Sequence, residues 1–381
     1  LDKYSRTSAA LEHGADLVLE LPVCYAAGSA EYFAQGSMTM LDKLGCIDFL
    51  CFGCETPDVS LFLELADFLE REPPAYRSLL REYQKQGMTF PAAREKALVQ
   101  AYTQEQCTQN PADAQGQEHL SLQFRTILHE PNNILGLEYC RALIRLKSRI
   151  RPVPMERTGQ GYHSGLIEGK HISASAVRKA LRQTTPSETL TDYVPGSILD
   201  HILKNGSSCL TSWNDFSSIL HYQLLMQDQF SDYLDISSDL NDRILNTRNT
   251  YTDPESFISC LKTRSFTESR IRRCLLHILL QIRRTDVQNW MNEGCIFYAR
   301  ILGFRKDSAR LLHALKQSSM IPLLSKPSNA AGQIRSAYPD TDAVSMFECD
   351  LRSSGIYRIA RTAKTGKQEI HELQRSPVIS S

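Results

Sequence analysis

The stretch His171-Ile172-Ser173-Ala174-Ser175-Ala176-Val177-Arg178-Lys179-Ala180-Leu181 sets two hydroxyl residues ahead of a helical pattern and a guanidinium one turn into it. Ser173 or Ser175 can cap that helix. The free N–H groups of its first turn, the helix dipole and Arg178 together would receive a polyphosphate. Taken alone, Ser-x-Ser-x-x-Arg-Lys describes an ordinary capped surface helix better, so its meaning depends on what precedes it. Gly53, at the end of an apolar run, would let a base or ribose approach the backbone, although a plain turn glycine is the simpler local reading. Asn132 and Asn133 follow Pro131 at the start of a helix; one can cap it and leave the other amide to a ligand, or capping is all they do. Arg157 stands just past an extended, proline-bearing run, 150–156.

Lys262, Arg264, Arg270, Arg272 and Arg273 set five basic residues against one acid, Glu268, on a helix with an apolar stripe. Such a helix can grip a phosphate backbone, and a solvated basic face is the alternative. Cys51-x-x-Cys54 has no second pair and no histidine at zinc spacing, so no metal or redox site is read there. His163, in a loop without a visible partner, reads as a surface residue before it reads as an acid–base group.

Positioning these residues takes strands and helices in alternation. Residues 4–13 read as a helix closed by Gly14, 15–22 as a strand stopped at Pro22, 29–44 as a helix closed by Gly45, and 47–52 as a second strand. That succession predicts an α/β fold with both strands in one parallel sheet, whose ligands sit beyond the carboxyl ends of the strands. Helices are expected at 59–69, 76–86 and 91–102, then a polar loop over 103–118, a helix from Ile134 to Leu146 and the strand 150–156. Gly53, the asparagine pair, Arg157 and 173–178 could then gather on one edge of one sheet. Beyond Pro195 the pattern turns mostly helical, which puts the boundary between two domains near residue 195, as 1–195 and 196–381. Strands near 298–303 and 321–324 flank a helix over 308–316; from Ser325 the pattern loses regularity and the last dozen residues look frayed.

The 381 residues carry a formal net charge of zero, so attraction to nucleic acid has to come from local charge. Eleven cysteines, an odd number spread through apolar segments, suit buried thiols in a reducing cytoplasm rather than disulfides. No signal peptide or membrane span is visible, so a cytoplasmic protein without a membrane partner is expected.

In combination, Lys3-Tyr4-Ser5-Arg6-Thr7 through Asp16-Leu17-Val18-Leu19-Glu20-Leu21-Pro22, Phe52-Gly53-Cys54-Glu55, Pro131-Asn132-Asn133-Ile134-Leu135-Gly136, Gly161-Tyr162-His163, 172–181, 262–280, 298–304 and Ile321-Pro322 resemble the bacterial tRNA(Met) cytidine acetate ligase family of the HIGH-type nucleotidyltransferase superfamily. The resemblance implies a Rossmann-like nucleotidyltransferase domain with a parallel sheet, followed by a mostly helical tRNA-binding domain. It implies an enzyme that joins ATP, with Mg²⁺ expected, and acetate into acetyl-adenylate, then acetylates N4 of the wobble cytidine of elongator tRNA(Met). Carried over by position, Gly53, Asn132, Asn133, Arg157 and Thr158 fall where the family contacts ATP. Ser173, Ser175 and Arg178 match its second phosphate motif, and 262–273 falls in its tRNA-facing part. With Lys3 and Arg6, that run supplies the basic residues expected around the mouth of the site.

Two departures stand out. Cys54 replaces the serine expected after Gly53, and the family's Asn-Pro-Phe-His-x-Gly-His motif, whose histidines steady the leaving pyrophosphate, occurs nowhere in the 381 residues. On that pattern roughly 50 residues, a βαβ unit's strand, helix and loops, are expected ahead of Leu1, and the chain without them is expected to be nearly inactive. Two further classes remain open: an adenylyltransferase acting on a small phosphorylated acceptor, and a non-catalytic tRNA-binding remnant.

Overall fold

The computed structural model describes residues 1–109, 123–157, 174–181, 190–205 and 210–381. Contacts group the chain into two units that are not consecutive in sequence: one of residues 1–29, 43–46 and 159–381, the other of residues 30–42 and 47–158. A single division near residue 195 does not reproduce that grouping.

In the second unit, β2 (Phe49–Cys54) and β3 (Arg151–Glu156) pair in parallel, with Phe49 opposite Arg151 and Cys54 opposite Glu156. Alternation along β2 turns Phe52 and Cys54 inward while Phe49, Cys51 and Gly53 stay exposed. The inward residues pack on α4 (Val59–Arg71) and α8 (Pro131–Leu146), in a core with Phe62, Leu65, Phe68, Leu137 and Cys140. The Phe52 ring lies edge-on to Phe62, with centroids 5.6 Å apart. Gly136 makes room for it on α8: a Cβ there would run into the Phe52 ring. Helices α5 (Pro74–Lys85), α6 (Phe90–Gln109) and α7 (123–129) cover the same core through Tyr76, Tyr102 and Phe124. The loop expected from residue 103 thus begins later, because α6 continues to Gln109; the rest of that loop lies outside the described residues. α3 (Ala30–Leu44) packs Met38 against Leu143 and Ile150.

In the first unit, β4 (Ala299–Arg305) is the central, buried strand of a four-stranded mixed sheet. It takes β1 (Leu17–Glu20) antiparallel, and β5 (Leu323–Leu324) and β6 (Val378–Ser380) in parallel. The expectation that 15–22 and 47–52 share one parallel sheet is therefore corrected. β1 ends in Glu20, and its partner strand brings Arg300 to 2.8 Å from Glu20 Oε2, a charge match that the neighbouring residues of β2 do not offer. α1 (Lys3–Glu12) lies on this sheet, and Gly303 allows the approach: a Cβ there would meet Thr7 Cγ2 at 2.6 Å.

The long run before β4 is helical as expected, with α9 (Ala174–Leu181), α10 (Gly196–Asn205), α11 (Ser217–Met226), α12 (Ser238–Thr247), α13 (Pro254–Leu261), α14 (Glu268–Leu280) and α15 (Arg284–Glu293). α16 (Ala309–Ser318) separates β4 from β5. The irregular, frayed C-terminus expected from Ser325 is a further correction. α17 (Pro327–Ala337) and the 23-residue α18 (Ala343–Thr365) occupy it, and the last residues end as β6 on the central strand.

Candidate active site

The carboxyl ends of β2 and β3 meet the amino end of α8 in a small, densely bonded turn. β2 leads into Glu55 and Thr56, and α8 opens with Pro131 at its first position, where no N–H is needed. Its N-cap residue, Glu130, makes no side-chain cap. The cap comes instead from Glu55. Its Oε2 accepts the Asn133 N–H at 3.0 Å and its Oε1 accepts the Asn132 Nδ2–H at 2.5 Å. Asn133, fully buried, answers in the other direction: its Oδ1 accepts the N–H groups of Glu55 at 2.8 Å and Thr56 at 3.1 Å, while its Nδ2 donates to Thr56 Oγ1 at 3.1 Å. The expectation that one asparagine caps α8 is thereby corrected, since neither does so with its own side chain: Asn133 commits both amide atoms to the 55–56 turn, whereas Asn132 commits only its Nδ2, and its Oδ1 has no bond among the described residues.

Gly53 and Arg157 stand side by side on the open face of the same two strands. The Arg157 N–H donates to Cys54 O at 2.9 Å, and a Cβ on Gly53 would lie 3.1 Å from Arg157 Cγ. The arginine stem therefore runs over bare backbone at the strand ends, and the residue is exposed. Cys54 points the other way, into the core, and donates weakly to Thr56 O and Met155 O. Burial and then the adjacent Glu55 push its thiol up from the ordinary range, so it offers no thiolate. Cys51 faces outward, so the Cys51-x-x-Cys54 pair points to opposite sides of the strand. Bare backbone at Gly53, a guanidinium at Arg157 and ordered amides at Asn132 and Asn133 form an arrangement suited to a nucleotide at the carboxyl edge of a parallel sheet.

Thr158, His163 and Ser173 lie outside the described residues. Ser175 and Arg178 belong to the first unit, on α9, described from Ala174; Ala180 packs with Leu190, Val194 and Leu199, while Arg178 is exposed.

The basic candidates divide by their partners. Lys3 Nζ sits 2.5 Å from Glu20 Oε1 and 2.7 Å from Glu372 Oε1, and also donates to Ser354 Oγ. Arg272 is held by Glu255 and Glu268, Arg273 faces Asp235, Lys262 faces Glu268 at 3.8 Å, and Arg270 donates to Asp235 O and lies over the Phe266 ring. Arg6 and Arg264 are exposed and make no ion pair among the described residues. Sequence reasoning assigned no role to Glu55, whose partners stand far along the chain. The available signal was an acid directly after the end of a glycine-bearing strand, together with a Pro-Asn-Asn helix start lacking a capping serine, threonine or aspartate.

Among the described residues no three His, Cys, Asp or Glu side chains are placed together to hold a metal ion. No helix among them is long and apolar enough to cross a membrane.

A parallel strand pair with a polar turn at its carboxyl edge is where α/β folds commonly place a ligand, and residues 1–372 match the HIGH Nucleotidyl Transferase family. The chain belongs to that family, within the branch of the tRNA(Met) cytidine acetate ligases, and is an ATP-dependent ligase by that membership. It is 34% identical over 363 residues to the tRNA(Met) cytidine acetate ligase of Caldanaerobacter subterraneus subsp. tengcongensis, covering 94% of this chain and 83% of that one. It is 35% identical over 327 residues to that of Halothermothrix orenii, covering 85% and 75%. Among solved structures, Thermotoga maritima TmcAL in its apo form superposes with a TM-score of 0.87 at 25% identity, over 100% of this chain and 88% of that one. The same protein bound with alpha-thio ATP superposes with a TM-score of 0.83 at the same coverage.

Proposed function

We propose that the chain acetylates N4 of the wobble cytidine of elongator tRNA(Met), using acetate and ATP, in the cytoplasm. In the first step an acetate oxygen attacks the α-phosphorus in line, the bond to the bridging oxygen breaks, and pyrophosphate leaves acetyl-adenylate behind. In the second step the cytidine amine attacks the acetyl carbonyl carbon, AMP departs as the leaving group, and the amine gives up a proton. Positioning and charge stabilisation supply most of the catalysis.

The observation that carries this reading is the juxtaposition of bare Gly53 backbone, Arg157 and the Asn132–Asn133 turn at the carboxyl edge of β2 and β3. Gly53 and Asn132 are assigned to the nucleoside, with Asn133 fixing the turn beneath them, and Arg157, with Thr158, to ATP as well; by resemblance Ser173, Ser175 and Arg178 are assigned to the phosphates. Arg6 and Arg264 are assigned to tRNA. Acetate-dependent exchange of pyrophosphate into ATP, followed by transfer of labelled acetate to tRNA(Met), is the expected result for the intact protein. Pyrophosphate release from ATP that ignores acetate and requires a phosphorylated acceptor would replace this reading with an adenylyltransferase. Salt-sensitive tRNA binding with no ATP chemistry would replace it with a binding remnant.

A further inference from the structure

We infer that Glu55 is a positioning residue that fixes the nucleoside end of the site and, by filling the amino end of α8 with a carboxylate, keeps phosphate away from it; this rests on the ATP site proposed above. Glu55 touches α8 at the N–H of its third residue. Pro131 has no N–H to give, and Ile134 N–H already donates to Glu130 O at 2.9 Å. The Asn133 N–H, where an anion would otherwise seat itself, goes to Glu55 Oε2 at 3.0 Å. A phosphate approaching that helix end would meet a negative charge already in place, so the usual anion seat of an α/β site is closed here.

What stays open at α8 is neutral. Asn132 gives its Nδ2–H to Glu55 Oε1 at 2.5 Å, which turns its Oδ1 away from the carboxylate; that oxygen has no bond among the described residues. A lone carbonyl acceptor at the strand ends suits a ribose hydroxyl or an exocyclic amine and cannot receive an anionic oxygen. Five hydrogen bonds between 55–56 and 132–133 hold it in place. The triphosphate is therefore directed away from α8, toward the cation at Arg157.

The test is calorimetric titration of the intact protein with ATP, adenosine and inorganic tripolyphosphate, for wild type and Glu55→Gln, with thermal unfolding of each. Glutamine keeps the volume and one acceptor, and the bonds from Asn133 to the backbone of 55–56 do not depend on the carboxylate. Adenosine and ATP are expected to weaken together by about tenfold, with KM for ATP rising by the same factor and kcat within about twofold. Tripolyphosphate is expected to bind the variant at least as well as wild type. Glu55→Asp, which retains the charge, is expected to retain the wild-type preference for adenosine over tripolyphosphate at the α8 end. Equal weakening of all three ligands, or adenosine binding that Glu55→Gln leaves unchanged, overturns the role of Glu55. Failure of the wild-type protein to bind either ATP or adenosine overturns the ATP site itself, a different outcome from a silent Glu55→Gln.

Discussion

Asp350 is a carboxylate placed where the fold wants an apolar side chain. It lies on the buried face of α18, 2% exposed; its Oδ1 accepts the first N–H of the short helix α2 (Val23–Ala26) at 2.7 Å and its Oδ2 accepts the Tyr298 hydroxyl at 2.5 Å. Burial, and then the negative Glu20, push its pKa from 3.8 to about 7, and the two hydrogen bonds and Lys3 offset only part of that. Because the folded value is raised, the folded chain holds this proton where the unfolded chain has already released it. The contribution is full below the unfolded value near pH 4, declines as pH rises, and is gone above about pH 7. Asp350→Asn keeps an acceptor for Val23 and a donor for Tyr298 while removing the titration. Urea unfolding should therefore show wild type losing ground to the variant between pH 4 and 7, by roughly 1 kcal/mol per pH unit, and no further change above. A constant difference between the two across that window would mean that Asp350 is not the proton-holding group.

At the scale of elements, the C-terminal strand and the turn before it complete the sheet of the first unit. Glu372, in the 3₁₀ turn Glu372–Gln374 ahead of β6, accepts from Arg300 at 2.5 Å and from the Tyr4 hydroxyl at 2.9 Å, and meets Lys3 at 2.7 Å. Arg300 is almost wholly buried on the central strand, so its charge depends on Glu20 and Glu372 together. Glu372→Ala leaves two cations to one acid and is expected to cost about 3–5 kcal/mol, read as a lowered urea midpoint. A midpoint within error of wild type would show that Glu20 alone neutralises Arg300. This part of the fold was the least legible in the sequence. β2, β3, α8, α9 and β4 could be read from apolar runs and their glycine and proline stops, because those signals are local. α18 could not, since Asp350 interrupts its buried face and the middle of the helix is only half-buried. The partner of β1 was not legible either: Glu20 finds Arg300 across most of the chain, and no periodicity announces such a pairing. The same holds in the candidate site. Gly53, the asparagine pair and Arg157 could be singled out by type and position, and the structure places them together at the carboxyl edge of β2 and β3, whereas the bonds of Glu55 to α8 appear only when β2 and α8 are brought together.

For the whole molecule, a net charge of zero means that any RNA surface has to be made from cations that the protein leaves uncompensated. The run 262–273 looked like the main source of such charge, but folding spends most of it internally. Arg272 bridges α13 and α14 through Glu255 and Glu268, and Arg270 and Arg273 both turn to Asp235. Arg264 stands exposed without an ion pair among the described residues, at the loop that precedes α14. With tRNA as the proposed substrate, the two kinds of arginine should part company in a salt titration. Arg264→Ala is expected to weaken tRNA binding at low salt and to reduce the slope of log affinity against log salt by about 1, the release of one phosphate contact's counterion. Arg272→Ala is expected to leave that slope within error of wild type and to lower the unfolding temperature slightly, since it loses two exposed ion pairs and no RNA contact. Equal loss of slope in both variants would return the whole run to the RNA face. It would also mean that Arg272 exchanges Glu255 and Glu268 for phosphate when tRNA binds, leaving two acids at the junction of α13 and α14 without their cation.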